Sequence, residues 1–211
     1  RAVVAKRGGD YELAASEIDQ FYRDDPSPAA IQVLQMQGLE REIFIFTVSA
    51  PTRGCWQRAA KAQDPDAADA AAFIAELGDC LDEVLAADPT DVDALVSRAY
   101  TSVDATSTDL GPAIDLAERA VAADSQDPNA RLLRASLAFA QGRVADAEAD
   151  LAVLDGLPRP TASFLFGGPE VLRSGIDDAA TTTTVPVTTS TTVVGRTTTS
   201  VDGRVPNPGG G

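Results

Sequence analysis

The chain has 211 residues, 32 acidic and 17 basic side chains and no histidine, for a formal net charge of −15. Such a polyanion is a poor match for nucleic acid or an anionic membrane surface, and the missing histidine removes the usual hydrolytic triads, the usual zinc sites and the commonest general base. Sixteen of the acidic residues lie between Asp64 and Asp127 against only Arg98 and Arg119, a balance that suits a solvated face. About 180 residues precede a change of composition, enough for one domain with a continuous core, rich in alanine and poor in aromatics.

In chain order, Ala2, Gly9, Ala14, Phe21 and Pro26 fall at offsets 0, +7, +12, +19 and +24. This puts small residues where two helices touch, a glycine where the chain reverses and a proline where the pair closes. The chain is therefore expected to start inside a helix, as a fragment or processed form whose upstream part held any signal peptide or membrane anchor. Ser27-Pro28 reads as an N-cap followed by a proline at the first helical position, opening a helix through Ile31, Val33, Leu34, Met36 and Leu39. Arg41 to Ala50, REIFIFTVSA, has the β-branched and aromatic content of a strand, but a lone strand has nothing to pair with in a helical chain. The same helix is expected to continue to about Val48, followed by a loop over Pro51-Thr52-Arg53-Gly54 and a short helix from Cys55 to Gln63 that carries Trp56.

Asp64-Pro65 starts a helix to Asp88 that turns Phe73, Ile74, Leu77, Leu81, Val84 and Leu85 inward. Thr90-Asp91-Val92-Asp93 is the aspartate form of a capping box, and its helix reaches about Val103. Gly111-Pro112 begins the next, ending at Asp124. The most regular stretch is Asp127 to Leu157. Asp-Pro opens a helix to about Ala140, Gln141-Gly142-Arg143 turns, and a second helix carries Val144, Ala147, Leu151 and Leu154 as one stripe with Asp146, Glu148 and Asp150 mostly outside it. Here Ala135, Gly142, Ala147 and Leu154 repeat the offsets 0, +7, +12 and +19, and Ala99, Ala113 and Ala120 continue them with two extra residues in a loop.

After Pro158 and Pro160, residues 162–176 carry Phe164, Leu165, Phe166, Val171, Leu172 and Ile176, a short irregular cap for an apolar face up to residue 180. Gly167-Gly168-Pro169 lacks the preceding strand and the following Lys-Ser/Thr of a phosphate-binding loop. From Thr181 there are eleven threonines in twenty residues. Residues 181–211 are expected to be disordered; their composition is that of an O-glycosylated stalk on an exported protein, the alternative being an unmodified cytosolic low-complexity tail.

The repeated offsets resemble those of the tetratricopeptide repeat (TPR), a helix–turn–helix unit that stacks on its neighbours. The resemblance implies an all-α solenoid of helical hairpins over 1–157, a cap over 158–180 and a non-catalytic scaffold that binds a protein or peptide segment. It also implies that first helices line the concave side, so that Asp93, Val96 and Tyr100 of one repeat and Asn129, Leu132, Ser136 and Phe139 of the next face a partner. The family's clamp for acidic chaperone C-termini uses lysine, arginine and asparagine, of which only Asn129 is present. An apolar or basic-amphipathic segment suits the surface better.

No cofactor and no metal are expected. Asp64-Asp66-Asp69 and Asp88-Asp91-Asp93 lack the glycine and distal glutamate of a calcium loop and serve better as helix starts. Cys55 and Cys80 can form a disulfide or remain two buried thiols; a redox role needs a closer pair. Alternative functions are a periplasmic chaperone of the cytochrome c maturation type and a structural spacer presenting a glycosylated stalk.

Overall fold

Aspartates that accept from the free amides of a first turn set several of the helix starts. The computed structural model describes residues 2, 9–24, 38–62, 70–103 and 109–183. Asp10 accepts from Leu13 N–H (2.9 Å) to open α1, Tyr11–Arg23. The following helices are α2, Leu39–Thr47, α3, Ala50–Ala62, and α4, Ala70–Ala87. Asp91 accepts from Ala94 N–H (2.9 Å) at the start of α5, Val92–Ser102, and α6 spans Gly111–Ala123. Asp127 accepts from Ala130 N–H (2.7 Å) to open α7, Pro128–Ala140. Gly142, at φ 74°, reverses the chain into α8, Val144–Leu154. A single turn α9, Ser163–Phe166, and α10, Pro169–Thr183, complete a fold with no strand among the described residues.

Three boundaries depart from the sequence reading. Within the stretch expected as one helix to Val48, Gly38 caps a helix start, its φ of 61° being a left-handed geometry that glycine tolerates and other residues resist; α2 follows it. Pro51 to Gly54, expected as a loop, lies inside α3. There Ser49 Oγ accepts from Thr52 N–H (3.4 Å), and Pro51 falls in the first turn, where no intrahelical partner for its missing N–H exists. The cap helix passes residue 180 to end at Thr183. The starts at Ser27-Pro28 and Asp64-Pro65 and the tail over 184–211 lie outside the described residues.

The helices pack in sequence, α3 with α4, α5 with α6, α7 with α8, and these pairs meet through α4 with α5 and α6 with α7. Helix α5 also touches both α3 and α7, which puts these three on one side of the packed pairs. The main core threads through it, from Phe44 and Trp56 past Leu77, Leu81 and Leu95 to Leu133 and Leu137. Cys55 of α3 and Cys80 of α4 are joined by a disulfide, Cα to Cα 5.5 Å. Asp150, expected mostly outside the apolar stripe, is buried between α7 and α8. Arg131 Nη1 reaches it at 2.7 Å, and Arg134 donates Nε and Nη2 at 2.7 and 2.6 Å. No helix among the described residues is long and apolar enough to cross a membrane.

Candidate functional site

The side formed by α3, α5 and α7 is where the sequence placed a partner, and its residues divide into three kinds. Val96 and Leu132 are fully buried in the core and are corrected here from partner-facing to wall-building positions. The cause is that α5 and α7 are covered on more than one side, so positions one turn along an apolar stripe meet neighbouring helices. Asp93 accepts from Ser49 N–H (2.7 Å) while Asp91 accepts from Ser49 Oγ (2.8 Å), tying α5 to the joint between α2 and α3. Burial raises Asp93 to about 6; the Ser49 N–H opposes this, and the charges of Asp127 and Asp91 reinforce it. Ser136 is half-buried, its Oγ without a hydrogen-bond partner.

Tyr100, Asn129 and Phe139 are side by side with other groups, all of them from the same chain. Asn129 Oδ1 accepts from Ala162 N–H (2.8 Å), and its Nδ2 donates to Thr161 Oγ1 (3.2 Å). Four residues beyond Ala162, Phe166 stands edge-on to Tyr100 at 6.3 Å. Phe164 lies 5.3 Å from Phe44 and 6.2 Å from Trp56, and Trp56 stacks on Tyr100 at 6.1 Å. The indole N–H donates to buried Ser97 Oγ (3.1 Å), which fixes the ring. Phe139 faces α10, where a Cβ on Gly175 would sit 3.2 Å from its ring. The inner side is thus an aromatic seat with one amide beside it, and the segment that follows Pro160 sits in it.

That segment is anchored at Arg159. Its guanidinium pairs with Glu170 through both terminal nitrogens (2.7 and 2.9 Å), lies 3.4 Å over the Tyr22 ring and is 3.8 Å from Glu40. Its backbone N–H donates to Asp19 Oδ1 at 3.1 Å. Burial raises the Glu40 carboxyl, with Arg159 partly countering it. Burial and the Glu40 charge together push Tyr22 up to about 12. Open clefts of about 320 and 390 Å³ flank Arg159 on its two sides.

Among the described residues no three or more His, Cys, Asp or Glu are grouped to hold a metal ion. The groups the sequence reading missed at the inner side are Phe44, Trp56, Thr161 and Arg159. The apolar run Phe164-Leu165-Phe166 signals burial of the segment that carries Arg159 and Thr161, but not which rings receive it. Compared with known proteins, the chain matches no family model, no curated protein and no solved structure.

Proposed function

We propose that the chain is a TPR-like solenoid serving as a non-catalytic scaffold for protein or peptide binding in the cell envelope. The observation that carries this reading is Asn129, whose amide holds the backbone of a turn segment at Ala162 beside an aromatic seat. A side chain that reads backbone is indifferent to the side chain at that residue, and the rings beside it select for apolar side chains. The repeat assignment is supported by Ala135 and Ala147, both fully buried in one cluster between α7 and α8, and by the left-handed Gly142 between them. The envelope location rests on the Thr-rich composition after Thr181 and on the Cys55–Cys80 disulfide, which persists in oxidising compartments.

Nuclear magnetic resonance titration of the full chain with apolar and basic-amphipathic peptides, up to millimolar concentration, tests the binding reading. The expected shifts are in α5 and α7 amides, weakened at least fivefold in affinity by Asn129→Ala with unchanged circular dichroism. Shifts confined to other helices would overturn it. Recovery of native protein from cytosol at its unmodified mass would overturn the location.

A further inference from the structure

Residues 158–168 make the contacts a bound peptide would make, although they belong to the chain. Apart from the one turn of α9 the segment is not helical, and its Ala162 amide is held by a side chain of α7. Its two phenylalanines are set against rings from three other helices, Phe44 of α2, Trp56 of α3 and Tyr100 of α5. Building on the peptide-binding reading above, we propose that this segment is a resident ligand that closes the inner groove. The partner it yields to is a peptide of the same chemistry that makes the same turn: a backbone amide for Asn129, then aromatic side chains two and four residues on.

The physical case is one of competition. A tethered ligand acts at an effective concentration of about millimolar, so even a weak segment outcompetes a dilute partner. A partner then shows its intrinsic affinity divided by the fraction of chains whose groove is open. The Arg159 side chain is the point of control, because its guanidinium fastens the segment to Tyr22 of α1, Glu40 of α2 and Glu170 of α10, whereas the bond to Asp19 comes from the backbone N–H and is independent of the side chain. Loosening it raises the open fraction while Asn129, Trp56 and Tyr100 stay in place.

The probe is a fluorescein-labelled peptide of residues 158–168, PRPTASFLFGG, titrated by anisotropy against full-length wild type, Arg159→Ala and the Phe164→Ala, Phe166→Ala chain. Both variants are expected to bind at least tenfold more tightly than wild type, and a peptide with alanine at both phenylalanine positions is expected to bind none of the three. Equal affinity for all three chains overturns the resident-ligand proposal and leaves the binding reading standing. No binding to any chain at millimolar peptide overturns both. Hydrogen exchange on the wild type covers the case in which a variant does not fold. Excess peptide should speed exchange of the amides at 162–166, and unchanged exchange in peptide-saturated protein overturns displacement.

Discussion

Asp150 is nearly enclosed, at 3% exposure, and it is tolerated because two arginines meet it. Burial alone would raise its carboxyl, but hydrogen bonds from Arg134 and Arg131 more than offset this and hold it below the ordinary range. Removing one partner of a buried ion pair leaves the other charge uncompensated. Asp150→Ala should therefore cost about 3 kcal/mol in urea unfolding, at the low end of the usual range because the arginines keep some access to water. Asp93 acts in the opposite direction. Its folded value of about 6 lies above that of an unfolded carboxylate, so between roughly pH 4 and 6 the folded state binds the more protons. Stability falls as pH rises through that window and levels off above it. Asp93→Asn keeps an acceptor for Ser49 N–H, so thermal melts should show a smaller loss from pH 5 to pH 7 than in the wild type. A variant with the wild-type slope would assign the effect elsewhere, for instance to Glu40 or Asp127, which burial also raises.

At the level of elements, what could be read in advance was what is decided locally. Asp91, Asp127 and Pro128 mark helix starts because the unpaired amides of a first turn lie within three residues of them. The stripes of α7 and α8 were legible because their period is a property of the helix itself. The boundaries at Gly38 and Pro51 were misjudged because a glycine can continue or stop a helix and a proline can end one or begin one; neighbours decide which. The disulfide was legible as a possibility only, since two cysteines in one chain carry no distance. It bridges α3 and α4 with 25 residues of separation, and in the chain-entropy picture such a link contributes about 3 kcal/mol. Cys55→Ser with Cys80→Ser should lower the urea midpoint accordingly, and an unchanged midpoint would mean that the α3–α4 interface is held by packing alone.

For the whole molecule, the least legible feature is where the segment around Phe164 lies. Its apolar run announces burial, but the groove that takes it is assembled from α2, α3, α5 and α7, and no local pattern says which face of the stack is uncovered. Val96 and Leu132 were misplaced for the same reason, being counted as surface before the covering layers were known. A further expectation is that circular dichroism and Trp56 fluorescence report one coincident urea transition, because α1 and α2 are fastened to a segment beyond α8. Arg159→Ala should separate the two probes; coincidence in that variant would show that the fastening is dispensable to cooperativity.

The bond from Arg159 N–H to Asp19 joins residues 140 positions apart. A stack whose units touch only their neighbours can grow from any point, whereas this contact requires the two distant parts of the chain to meet. Loop-closure entropy, which rises with the logarithm of the separation, must be met before that contact returns anything, and this slows folding relative to a stack held by neighbour contacts alone. During synthesis α1 and α2 leave the ribosome with the surface around Tyr22 and Glu40 still waiting for Arg159, and that surface is closed only after α8 and the segment behind it have been made.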